Sequence, residues 1–315
     1  MAVVFAYLKR HVEGDVVRLG EAGRMGGISG MALGSRVGRL GRLASAMALA
    51  GFMGTMLAGM AAAETDVERL KRTGECVRCD LRLSELRGVK LEQAKLSRVI
   101  LREADLKEAA LVGADLKDAD LRRAEVERTD LSGADLTGAS MRGVDMEKAV
   151  LIKARLDGAD LRNADLIEAK LAGASLAGAD MRLALLIRTQ AAGASFREAK
   201  MDGVNLERAD LMNADLTGAR LPYADFDRVK AVGAIFRGAD LSGAHFSSAD
   251  LTGADLSDAN LEGALMRRTR LVGANLAGAR GLDAARMVGA CGDPTTKLPK
   301  GVYLKTCSDM DDADR

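Results

Sequence analysis

From Leu81 to Leu276 an apolar residue returns every five positions without one insertion, as in "LVGADLKDADLRRAEVERTDLSGADLTGAS". Of the forty pentad centres in that run, 28 are Leu, 5 Met, 4 Phe, 2 Ala and 1 Val. Two residues before each centre stands a small side chain, Ala in 30 of the 40. A five-residue period serves neither an amphipathic helix nor a strand, whose apolar positions recur every 3.6 and 2 residues. A long register of this kind is the mark of a solenoid, in which each short unit buries its apolar side chains only against its neighbours. Composition agrees, because aromatics make up only 3% of the chain while Gly reaches 35 residues. The core is therefore a stack of similar small slots.

The A-(D/N)-L-x-x pattern of "GADLTGADLSDANL" resembles the pentapeptide repeat family over about residues 79–280. The resemblance implies an all-β fold, a right-handed quadrilateral β-helix with four pentads per coil. The centre and the small residue two places earlier then point inward. Forty pentads would make about ten coils, bounded by short helical caps. This divides the chain into a leader and signal peptide (1–63), an N-terminal capping helix (64–78), the β-helix (79–281) and a C-terminal cap with an acidic disordered tail (282–315).

The residues support four sides independently. After the first two pentads, eight small slots depart from Ala: Val89, Val99, Thr129, Val144, Thr189, Val204, Val229 and Thr269. Five of these (89, 129, 189, 229 and 269) differ by multiples of 20, where a random spread over four sides gives two. The preceding residue is Gly88 or an arginine, at 128, 188, 228 and 268, while the side running through 113, 133, 173 and 193 carries Gly there. Gly permits positive φ, so the glycine corner is expected to take a turn needing it and the arginine corner a different turn. Volumes also compensate: the smallest centres, Ala191 and Ala231, are each followed by Phe, at 196 and 236. Near-crystalline packing density requires such pairing.

At the start, "ETDVERLKRTG" reads as a short helix, with Thr65 and Glu68 forming a capping box and Gly74 ending it. The C-terminal segment breaks register and is expected to fold as a short helix plus a loop over the last coil. Ahead of all this, Arg36, Arg39 and Arg42 precede an uncharged stretch, Leu43 to Met60, and an Ala61-x-Ala63 site, the three parts of a secretory signal peptide. Cleavage after Ala63 would leave Glu64 as the mature start, and a start at Met25 or Met31 would give the signal ordinary length. Uncleaved, the 21 residues from Leu43 to Ala63 are long enough to anchor the chain in a membrane, which takes about 20. The mature form is expected to have no stable span and to be periplasmic or secreted.

The cysteines are Cys76, Cys79, Cys291 and Cys307. Export and an even count favour disulfides. Cys291 with Cys307 would tie down the C-terminal segment, and Cys76 with Cys79 is a second candidate pair. A shared four-cysteine metal site is excluded because a rod separates the pairs. Cys79 also fits the inward slot of the first pentad, where "CDL" replaces "ADL". The lone His245 has no partner for metal ligation, and no base stands ready to activate the corner Ser and Thr residues. Neither catalytic, metal nor cofactor-binding residues are expected, so an enzyme is disfavoured.

Charge is balanced, at +1 for the chain. Outside the core, Glu85, Asp105, Glu125, Asp145 and Asp165 recur every 20 residues, and Arg128, Lys148, Arg188, Arg208, Arg228 and Arg268 form a basic row. That row is the candidate binding strip, although Glu127, Glu147, Glu207 and Asp227 flank it. The resemblance brings in an alternative, since the family includes cytosolic DNA mimics that protect a topoisomerase. A mimic needs a continuous acidic surface, which a neutral rod lacks. The expectation is a non-catalytic exported scaffold or protein-binding module of a bacterial envelope, with an unknown protein partner and no nucleic acid.

Overall fold

The computed structural model describes residues 64–307, in which each pentad forms one side of a four-sided coil. The leader, the Ala63 cleavage site and the acidic tail after Cys307 lie outside the described residues. Residues twenty apart pair in parallel, Lys95 with Asp115, Asp115 with Asp135 and onward, so four ladders run the length of the coil. Five-residue sides arise because each centre opens a β-turn. In the pentad of Leu91, Ala94 N–H donates to the Leu91 carbonyl at 3.1 Å, while Leu91 and Gln93 donate to the next coil at 2.7 and 2.8 Å. The ladder residue donates back, as Asp115 does to Ala94 at 2.9 Å.

That leaves one N–H per pentad, on the residue after the centre, and wherever an Asp or Asn stands before the centre its side chain accepts it. Ser132 N–H donates to Asp130 Oδ1 and Thr217 N–H to Asp215 Oδ1, each at 2.9 Å. The D/N of the repeat is therefore an Asx motif that completes the backbone account.

The inward positions are as expected. Apart from the half-buried slots Ser84 and Val89 near the start, centres and small slots from Leu81 to Leu276 form one continuous buried interior, most of it wholly inaccessible. The off-Ala slots share an environment too. Thr129, Thr189 and Thr269 are fully buried, and their hydroxyls donate to the carbonyls of Leu106, Leu166 and Phe246 at 2.6, 2.9 and 2.8 Å. Around Ala231 the rings of Phe226 and Phe236 meet edge to face at 5.8 Å, and Phe246 of the next coil stacks on Phe226 at 4.5 Å.

The corners correct one expectation. Arg128, Arg188, Arg228 and Arg268 have φ of 55°, 56°, 54° and 53°, beside 65° at Gly113 and Gly193. Arginine and glycine corners thus take the same left-handed turn. A non-glycine residue there costs about 1 kcal/mol or more, and it persists because ladder and turn hydrogen bonds fix the residues on both sides.

Helix α1 (Asp66–Thr73) begins at the Thr65–Glu68 capping box and ends at Gly74, in the left-handed conformation. Its Leu70 is fully buried in the coil's own cluster. The C-terminal segment differs from the expected helix plus loop. A 3-10 turn at Ala284–Arg286 is followed by chain that rejoins two ladders, Cys291 against Arg270 and Lys297 against Asn275. Strand β1 (Cys291–Gly292) then pairs in parallel with β2 (Lys305–Thr306). Irregular sequence still follows the ladders, because the unpaired edge left by the last regular pentads templates it.

Candidate interaction surfaces

The expected Cys291–Cys307 pair is bonded, and so is Cys76–Cys79, whose bonding the sequence had left open. Cys79 fills the first inward slot and is buried, so the Cys-x-x-Cys joins the turn after α1 to the first pentad. Asp66 lies beside the two sulfurs, but its carboxylate pairs with Arg69 at 2.7 Å and both sulfurs are spent on the disulfide. His245 is exposed in a ladder between Asp225 and Leu265.

The basic row stands at one corner, occupying six of eight successive coils, with Glu168 and Ser248 at the other two. Five of its six members reach a carboxylate: Arg128 to Glu108 at 3.9 Å, Lys148 to Glu147 at 2.5 Å, and Arg188 to Glu168 at 3.6 Å. Arg208 and Arg228 share Glu207, at 3.6 and 3.7 Å. These groups are roughly half exposed, so each pair is weak and open to exchange with a ligand. On the ladder before that corner stand the acidic residues from Glu85 to Asp165. Burial raises the Asp145 carboxyl above its ordinary value, with the charges of Glu127 and Asp165 adding to it. Arg87 meets Asp105 at 3.0 Å and Lys107 meets Glu125 at 2.9 Å, so the line is partly neutralised.

A second basic column was missed from the sequence. Arg82, Arg102, Arg122, Arg142, Arg162 and Arg182 occupy the same corner position in six consecutive coils. Four of them fork onto the Asp two residues earlier. Arg122 donates to Asp120 at 2.7 and 2.6 Å and Arg162 to Asp160 at the same distances, with Arg82 and Arg182 alike on Asp80 and Asp180. Arg122, and Arg102 after it, hold the Asp120 carboxyl far below its usual range. At position 140 the Asp is replaced by Ser, and among the described residues Arg142 has no carboxylate in ion-pair reach. The signal that would have revealed the column is the 20-residue period, applied to outward positions.

Further along that corner the chemistry changes. Leu183 and Tyr223 are 61% and 78% exposed. Cδ1 and Cε1 of Tyr223 lie 2.7 and 2.8 Å from where a Cβ on Gly243 would be, so the ring rests on bare backbone. Among the described residues no helix is long and apolar enough to cross a membrane.

Comparison with known proteins accords with this architecture. The pentapeptide repeats family model matches eight copies between residues 84 and 280. HetL, a pentapeptide repeat protein involved in heterocyst differentiation regulation from the cyanobacterium Nostoc sp. strain PCC 7120, is 30% identical. That match covers 74% of this chain and 98% of HetL, with a TM-score of 0.34. A pentapeptide repeat protein from the Arabidopsis thaliana thylakoid lumen is also 30% identical, over 35% of this chain and 71% of its own, at TM-score 0.17. Full-length QnrB1, a plasmid-mediated fluoroquinolone resistance protein, is 18% identical over 70% of this chain and 94% of its own, at TM-score 0.32. No protein of curated function matches. With the family model spanning most of the chain and the ladders recurring every four pentads, the chain belongs to the pentapeptide repeat family, whose fold is the right-handed β-helix.

Proposed function

We propose that this protein is a non-catalytic binding rod of a bacterial envelope, exported by its leader and acting by holding a protein partner against its side. The observation that carries the reading is the pairing of all four cysteines in two disulfides, at the first coil and in the C-terminal segment. Such bonds form and persist in oxidising compartments and are rare in a reducing cytosol. In this reading the rod has about ten coils and is on the order of 48 Å long at a strand spacing of about 4.7–4.9 Å. Helix α1 and the C-terminal segment cover its ends.

The partner-holding surface proposed is the row from Arg128 to Arg268. Its exposed, weakly paired cations are available to a complementary acidic face, which would speed association and set register more than add affinity. Fractionation of native cells, with thiol alkylation before lysis, tests the reading. The protein is expected in the periplasmic or secreted fraction, beginning at Glu64, with no alkylated cysteine. A cytosolic protein with free thiols refutes export and restores the topoisomerase-directed alternative. Crosslinking on native envelopes then tests the row: replacing Arg188, Arg208 and Arg228 with Ser should abolish partner capture, and an unaltered crosslink profile rules the strip out.

A further inference from the structure

The arginine column and the aromatic corner beyond it share one edge of the rod. We propose that this edge is a groove for a linear acidic polysaccharide, with a sugar carboxylate seated on Arg142. The inference does not depend on the export reading or on the basic row at the other corner.

The first argument is a missing carboxylate. Along this column the rule is an arginine forked onto the Asp two residues before it, as at 120, 160 and 180. Ser140 breaks the rule and leaves the Arg142 guanidinium with no carboxylate at ion-pair distance among the described residues; Asp160, already forked by Arg162, feels its charge only from farther off. Arg102, which follows Ile100, solves the same problem by reaching forward to Asp120 at 2.7 Å. Asp120 is thereby doubly engaged, and Arg142 keeps its donors. A planar fork of this kind matches a carboxylate in two hydrogen bonds. Gly143 clears the corner beside it, giving a cleft lined by Arg102, Arg122, Arg123 and Arg142, with Glu103 as the sole carboxylate.

The second argument is the composition of the groove away from Arg142. The forked Arg–Asp pairs present donors and acceptors side by side, which suits the hydroxyl groups of a sugar. Over the next four coils Arg162, Arg182, Leu183, Asp202, Pro222 and Tyr223 line a second, more apolar cleft. A broad exposed aromatic ring held on glycine backbone is a surface on which the apolar face of a sugar can rest.

The third argument is spacing. Equivalent side chains recur at about 4.7–4.9 Å, the rise of one coil, which is close to the length of one pyranose unit, so successive sugars meet successive coils in step. An extended acidic peptide would present like-facing side chains about every 6.8 Å and drift out of register.

Titration of the oxidised full-length protein with galacturonate, mannuronate and hyaluronan oligosaccharides at physiological salt tests the proposal. At least one should bind saturably, and its methyl-esterified counterpart should not. Arg142→Ala should weaken binding about tenfold or more, the scale of a lost charged hydrogen bond. Arg142→Lys should restore part of it, and Tyr223→Ala should weaken binding several-fold. Lys153→Ala, which removes an exposed charge from a different corner, should change nothing. All four variants should keep the parent melting temperature, since Arg142 forms no ion pair and Tyr223 is 78% exposed. Absence of binding to all three sugars overturns the proposal. So does equal binding by Arg142→Ala or by the esterified ligand. Tighter, Arg142-dependent capture of single-stranded DNA or polyphosphate would also overturn it, by reassigning the groove to phosphate.

Discussion

Enlarging Ala231 to Leu tests the packing scheme at its tightest point. In the coil that holds it, Ala231 sits between Phe226 and Phe236, whose rings meet edge to face at 5.8 Å, while Phe246 stacks on Phe226 from the next coil. All four side chains are fully buried. Three added carbons have no void to enter, so they must displace a ring from its rotamer or spread the coil, at about 1–3 kcal/mol. For a body of this size that lowers the melting temperature by about 2–4 °C per kcal/mol. The stronger test is the cycle with Phe236→Leu. That change alone empties space and should cost about 1–2 kcal/mol, within the range for lost ring volume. Combined, the two substitutions rebuild the Leu-centred side found elsewhere in the rod, so their costs should cancel in part, with a coupling of about 1 kcal/mol or more. Thermal unfolding by circular dichroism gives the midpoints. Hydrogen exchange at the amides of coils 211–250 reads the effect locally, which matters because a solenoid can unfold piecemeal. Strictly additive costs, or an unshifted midpoint for Ala231→Leu, would show that these side chains do not share one coil interior.

The C-terminal bond and one acid group give further tests. Replacing Cys291 and Cys307 with Ser opens a loop whose ends are 16 residues apart, and about 3 kcal/mol of local stability should go with it. Exchange at Lys297 and Thr306 should rise while the central ladders stay protected; uniform loosening would contradict a local role. Asp293 accepts from Gly273 N–H at 2.9 Å and from Thr295 and Thr296, and these bonds depress its carboxyl to about 2. Because the folded value lies below the unfolded one, near about 3.9, its contribution is full above that value and fades as pH falls toward about 2. The segment around 293–297 should therefore become exchange-labile across that acid window, and Asp293→Asn should remove the pH dependence there. An unchanged acid profile in the Asn variant would place the sensitivity elsewhere.

What the sequence revealed follows from which positions are forced. Inward residues share one confined volume, so a misplaced side chain is costly and the period survives in every coil; Leu81 to Leu276 and the Thr129–Thr189–Thr269 set were legible for that reason. The Cys291–Cys307 pair and the Thr65–Glu68 box were legible because each relies on local chemistry with few alternatives, whereas Cys79 could equally have been a plain inward side chain. Corner conformation was misread because glycine is sufficient for positive φ but not required. At Arg128 the backbone bonds of the neighbouring coils settle the turn, and they can hold any side chain that tolerates the strain. The arginine column was overlooked because outward positions are free to vary, so no single pentad marks it; only comparison at 20-residue intervals shows Arg82 through Arg182 in line. The same freedom gives that column its functional interest. Nothing in the coil requires Arg at those corners, since Ser, Pro and Glu occupy the equivalent positions at 242, 222 and 262 with the ladder intact. Six successive arginines at positions the coil fills elsewhere with other residues are the ground of the groove proposal, and Arg142, the one with no carboxylate at ion-pair distance, is where that proposal is most directly tested.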